Sequence, residues 1–222
     1  SIGRHLPWLV ALALGGIAIL VVLLAYSTYT VPTVLAPDRG GVFREGVAGA
    51  ARYLSPFWCQ EKNADRDICR LVYRGLTRID KSGRIVPDLA EGWVMVDDRT
   101  YLFTLKPNQF WHDGRAITTN DVLFTIGLLQ DPTIADIPGL RSIWSGVAVE
   151  QVDDYTVRFS LPQPLAPFLD NTTLGLLPQH IYAETPPLEL VTQPLTQTPI
   201  GSGPMQVSEV TAEYVRLTPS RF

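Results

Sequence analysis

A mixed α/β fold of α+β type, carried behind one membrane-spanning helix, is what this chain predicts. Three observations carry that expectation. An uncharged apolar run lies near the N-terminus, two stretches of apolar alternation fold back about acidic turns, and a capped helical stretch lies between them.

From Trp8 to Tyr26 every residue is apolar or glycine, and no charged residue falls between Arg4 and Asp38. At 1.5 Å per residue the run makes ~28 Å of helix, close to the ~30 Å of bilayer hydrocarbon. The rival reading is a cleaved signal peptide. Its apolar core is normally ~7–15 residues, and the nearest small-residue site, Val34-Leu35-Ala36, lies well past the run. An uncleaved anchor fits better. Arg4 points to a cytoplasmic N-terminus with the remainder exported, and no cysteine follows closely enough for lipid modification.

Pro32 to Gly41 reads as a linker. Val42 to Val47 reads as a first strand, with Gly46 and Gly49 leaving backbone unshielded, and Tyr53-Leu54-Ser55-Pro56 as a turn. Asn63 can cap a helix from about Ala64 to Arg74, with Asp65 and Asp67 in its first turn and Ile68, Leu71 and Val72 facing inward. Leu76 to Asp80 and Arg84 to Val86 make strands around Lys81-Ser82-Gly83. Trp93 to Val96 turns at Asp97-Asp98-Arg99 into Tyr101, Phe103 and Leu105, which share one face. Lys106-Pro107-Asn108 ends that strand, and Asp113-Gly114 supplies a turn.

Thr118 and Asp121 form a capping box for a helix whose inward stripe is Val122, Ile126 and Leu129, and which stops at Asp131-Pro132. Gly146 to Val152 and Tyr155 to Leu161 alternate around Asp153-Asp154, with Val157, Phe159 and Leu161 inward. Pro162 to Pro167 breaks regular structure, Phe168 to Leu177 reads as a short helix or turn, and the proline-rich Pro186 to Pro199 connects to a last strand, Met205 to Val210.

A net charge of -4 argues against a nucleic-acid surface, which needs a basic patch. The 46% hydrophobic content is too high for disorder even with 18 prolines. Cys59 and Cys69 match no metal-ligand spacing. In an exported domain they can pair for roughly 2–3 kcal/mol, the alternative being two buried thiols. Trp111, Tyr101 and Phe103 read as core aromatics rather than a ligand platform. His112 reads as a solvated or capping histidine, because adjacent His112 and Asp113 normally point apart. Arg66, Arg70 and Arg74 suggest an anion site less well than a solvated helix face. No phosphate loop, nucleophile elbow or cofactor motif is present.

The run WVMVDDRTYLFTLKPNQFWHDGRAITTNDV, from Trp93 to Val122, resembles the signature of the family 5 extracellular solute-binding proteins, the peptide, nickel and opine receptors of ABC importers. YRGLTRIDKSGRIVPDLAEGW before it, Leu177-Pro178-Gln179-His180, and Pro199 to Met205 resemble further elements of that family, although Met205 stands where an aromatic is usual. The resemblance implies a periplasmic-binding-protein-like two-lobe fold of which this chain holds the first lobe and its subdomain. It divides the chain into an anchor and linker at 1–37, an opening segment at 38–62, an inserted subdomain at 63–169 and a return segment at 170–222.

The function implied is non-enzymatic. An extracytoplasmic solute, an oligopeptide above all, is captured by closure of two lobes and delivered to ABC permease subunits, with no cofactor and no metal. Extended peptides are held by strand-like backbone bonds, for which Glu45, Gly46, Val47, Ala48 and Gly49 are the candidates, with Glu45 as partner for a ligand cation. Two alternatives differ in class. One is a membrane-anchored sensor or assembly module of the same fold without a transport ligand. The other is a tethered hydrolase, which needs a nucleophile placed by tertiary structure.

Overall fold

The computed structural model describes residues 6–30, 41–48, 54–59, 63–133, 140–192 and 199–222. Most of the expected linker, Gly49, Tyr53 and part of the proline-rich connection lie outside the described residues. The chain forms two compact units, Ser1–Glu45 and Gly46–Phe222.

The first unit is helix α1 (Leu6–Thr30), whose described side chains are exposed and almost all apolar. Among the described residues no helix is long and apolar enough to cross a membrane. The unbroken run of described side chains, Leu12 to Tyr26, covers only ~22 Å of axis at 1.5 Å per residue. Residues 41–48 are exposed and irregular, so the strand expected over Val42 to Val47 does not form. Alternation and glycine placement favour an extended backbone there, but a strand exists only when another pairs with it. None does so among the described residues.

In the second unit, α2 (Asn63–Val72) buries Asp65, Cys69 and Val72, which recur at helical spacing. Leu71, expected to face inward, is 41% exposed, because it lies about 100° around the axis from Val72. Hairpin β1 (Thr77–Ile79) and β2 (Ile85–Pro87) turns where expected, pinned by Asp80, whose carboxylate accepts from the Ser82 and Arg84 backbone N–H groups at 2.8 and 3.0 Å.

The central sheet contains β3 (Ala90–Met95), β4 (Thr100–Leu105), β5 (Ala148–Gln151) and β6 (Thr156–Ser160), in the order β3-β4-β6-β5, antiparallel throughout. Register pairs Trp93 with Phe103 and Tyr101 with Phe159, so the alternating aromatics of neighbouring strands fall on one face. Phe103 and Phe159 meet edge to face with centroids 5.5 Å apart. Against that face lies α3 (Thr119–Gln130), entered as expected: the Thr118 N–H donates to Asp121 Oδ2 at 2.9 Å. Val122, Ile126 and Leu129 are buried.

Four elements were not anticipated. The short α4 (Leu140–Trp144) delivers Trp144 into the core between Phe159 and Phe168. Helix α7 (Pro187–Thr192) occupies the proline-rich connection, with Pro187 in its first turn where the missing N–H is no loss. Strand β8 (Val215–Pro219) pairs with β7 (Met205–Val210). Between these lie α5 (Phe168–Asn171), within the expected short helix or turn, and α6 (Gln179–Tyr182), the fourth unanticipated element.

Candidate functional site

Of the five residues expected to contact ligand, Glu45, Gly46, Val47 and Ala48 are exposed and outside any ladder, and Gly49 lies outside the described residues. The anion site suggested for the three arginines loses one member. Arg74 lies beyond the end of α2 and is committed elsewhere: its Nε donates to Asp88 Oδ1 at 2.8 Å and its Nη1 to Gln109 Oε1 at 2.8 Å. Cys59 and Cys69 are joined as a disulfide, with Cα atoms 6.2 Å apart, tying the turn after Leu54 to α2. The same turn is held by Tyr73, whose hydroxyl donates to the Leu54 carbonyl at 2.8 Å. Burial, and then Tyr182, push that hydroxyl's pKa well up, so it stays a donor.

The most constrained place in the second unit is the loop Pro199 to Met205. Its glycines allow close approach to the end of α2: a Cβ on Gly201 would lie 2.0 Å from the Val72 oxygen, and one on Gly203 2.2 Å from the Leu71 oxygen. The gain is a helix cap. The Gly203 N–H donates to the Val72 carbonyl at 2.7 Å, supplying one of the partners that a helix end lacks. The Arg74 N–H reaches the buried Ser202 Oγ at 3.3 Å.

His112 holds the loop from the other side, which corrects the expectation of a solvated or capping side chain. Its N–H donates to the Gly201 carbonyl at 2.9 Å, its Nδ1 accepts from the Gly201 N–H at 3.1 Å, and its Nε2 sits 2.9 Å from the Gly203 oxygen. Burial lowers its pKa, against the Gly203 bond and Asp113, which raise it. Asp113 points away, as neighbours on a turn do, and meets His180 Nε2 at 2.6 Å. Burial pushes the Asp113 carboxyl up, but His180 and the Arg115 N–H outweigh it and leave the pKa lowered. Asp121 is raised by burial despite N–H donors from Thr118 and Gln179. Trp111 is fully buried core.

The spacing of Gly201 and Gly203 advertised a close approach, but nothing local to His112, Tyr73 or Ser202 announced their roles, because their partners are far along the chain. Among the described residues no three His, Cys, Asp or Glu side chains gather as metal ligands. A separate hollow of about 360 Å³ beside Gln130, Arg141, Ser145 and Gly146 shares no residue with this loop. The arrangement around the loop is that of a rigid scaffold, since its polar groups are spent on backbone.

Residues 84–220 match the model of the Bacterial extracellular solute-binding proteins, family 5 Middle. The Oligopeptide-binding protein AppA of Bacillus subtilis is 29% identical over 188 residues, 82% of this chain and 34% of that protein. Its solved structure, in complex with a nonapeptide, superposes with a TM-score of 0.69 at 27% identity over 78% of this chain and 34% of that one. NikZ from Campylobacter jejuni in complex with Ni(L-His) gives 0.66 at 28% identity over 79% and 34%. The chain spans about a third of the length of the first of these relatives. These similar proteins are binding proteins rather than enzymes, and the mixed α/β fold they share is that of periplasmic binding proteins, of which part of one lobe is present here. With the family match covering more than half its residues, the chain belongs to the bacterial extracellular solute-binding proteins of family 5.

Proposed function

We propose that this chain is part of the substrate-binding component of an ABC importer, which captures an extracytoplasmic oligopeptide by closure of two lobes and hands it to a membrane permease. The observation that carries this reading is the likeness to an oligopeptide-binding protein over 82% of the chain. Closure makes delivery ligand-dependent, because contacts from both lobes exist together only in the closed form. Helix α1 anchors the protein in the membrane, with everything after it outside the cytoplasm. The uncharged apolar sequence from Trp8 to Tyr26 supports that assignment. Glu45, Gly46, Val47, Ala48 and Gly49 supply backbone bonds to the peptide. Gly46, Val47 and Ala48 are exposed and outside any ladder, which leaves their backbone groups open to strand addition. The division at 37/38, 62/63 and 169/170 belongs to the same proposal.

The test is to express the full-length natural protein, release co-purifying solute by denaturation, identify it by mass spectrometry, and titrate the emptied protein with a mixed oligopeptide library by calorimetry. Saturable peptide binding is expected. A protein that carries no solute, ignores peptides and still co-purifies with a membrane partner overturns the transport reading in favour of a sensor or assembly module.

A further inference from the structure

His112 is gripped at three atoms by one loop, and the chemistry of the partners assigns its protons. A carbonyl oxygen can only accept, so Nε2, 2.9 Å from the Gly203 oxygen, carries a hydrogen. A backbone N–H can only donate, so Nδ1, 3.1 Å from the Gly201 nitrogen, carries none. We propose that His112 is a proton-operated latch: its neutral ring closes the loop Pro199 to Met205 onto the end of α2, and a second proton, taken up at Nδ1, opens it.

The step balances as one solvent proton bound at Nδ1 and one N–H···N bond broken. The new Nδ1–H then faces the Gly201 N–H, donor against donor, and that contact cannot persist. The loop has no slack to absorb the conflict, because Gly201 and Gly203 already lie against the Val72 and Leu71 carbonyls. Movement therefore passes to the Gly203 to Val72 bond that caps α2.

Charged groups beside the ring and on the neighbouring elements have partners of their own. Asp113, beside it on the same turn, is committed to His180 of α6 and to the Arg115 N–H. Asp121 of α3 is held by the Thr118 and Gln179 N–H groups. Arg74, after α2, pairs with Asp88, and on the β7–β8 hairpin Glu209 pairs with Arg216 at the surface. Burial makes the folded protein bind the His112 proton less readily than the unfolded chain. The latch's contribution is therefore complete above the unfolded value of ~6.5 and is lost as pH falls from there through the lowered folded value.

The experiment uses the unmodified chain, labelled with ¹⁵N, followed by NMR from about pH 8 to about pH 4.5, a range chosen to span histidine titration. Three results are expected: the Nε2–H tautomer at neutral pH, titration of His112 below ~6.5, and exchange of the Gly201 and Gly203 amides about tenfold faster than intrinsic rates explain once the ring is charged. His112→Gln removes this step, whereas His180→Gln leaves it. An Nδ1–H tautomer, or a charged His112 with both amides undisturbed, overturns the latch. So does a step that vanishes in His180→Gln, which assigns it to the Asp113–His180 pair.

Discussion

One methyl group at Gly201 is expected to cost about as much as truncating a large core side chain. Its Cβ would sit 2.0 Å from the Val72 oxygen and 2.8 Å from the Val72 carbonyl carbon, and both belong to backbone. Ordinary contact is about 3.5 Å, so the loop must retreat by more than ~1 Å. That retreat strains an overpacked site by ~1–3 kcal/mol and sacrifices two hydrogen bonds to His112 at ~1 kcal/mol each. The sum is ~3–5 kcal/mol, which in a domain of this size lowers the melting temperature by about 10 °C. Thermal unfolding followed by circular dichroism measures it, with Gly46→Ala as the control. Among the described residues nothing lies within 4 Å of a Cβ at Gly46, so that change is expected to stay within ~0.5 kcal/mol. If Gly201→Ala melts within about 1 °C of the parent, the close approach of loop and helix end is not there.

The disulfide between Cys59 and Cys69 closes a separation of 10 residues, so Cys59→Ala with Cys69→Ala is expected to destabilise by roughly 2–3 kcal/mol in urea titration; an unchanged midpoint refutes the bond. Gly127 lies on the exposed side of α3 with nothing among the described residues within 4 Å of a Cβ, so Gly127→Ala is expected to add ~0.5–1 kcal/mol by the same titration, and a loss of stability refutes its placement in mid-helix. The Asp80 carboxyl is pulled down to about 2, first by the Ser82 hydroxyl and then by the Arg84 N–H. Its contribution to the β1–β2 turn is present above the ordinary value of 3.8 and lost as pH falls through about 2. NMR titration of its carboxyl carbon checks this, and a midpoint near 3.8 contradicts the turn geometry.

The two hairpins and α3 were legible in the sequence because their signals are local. Alternation sets which side chains share a face, Asp97 and Asp153 mark turns, and the Thr118–Asp121 box marks a helix start within four residues. α4 is only five residues long, too short for periodicity to show, although Trp144 is among the most buried side chains. The stretch 42–47 failed for the opposite reason: its local pattern suits a strand, but pairing is not a local property. The role of His112 was hidden in the same way, since Gly201 and Gly203 lie 89 and 91 residues away. Its immediate neighbours say only that it does not share a direction with Asp113.

The seal on α2 has a consequence for how the molecule comes into being. The helix ends at Val72, yet the groups that finish it arrive with Ser202, 128 positions after Arg74, and with Gly203. During synthesis the last carbonyls of α2 must wait for water or strangers until nearly the whole second unit has emerged. The sheet and α3, built from closer neighbours, can assemble while they wait. Closure by the glycine loop then follows assembly of the sheet, and a chain halted just before that loop would hold β3 to β6 in order while α2 still had an open end.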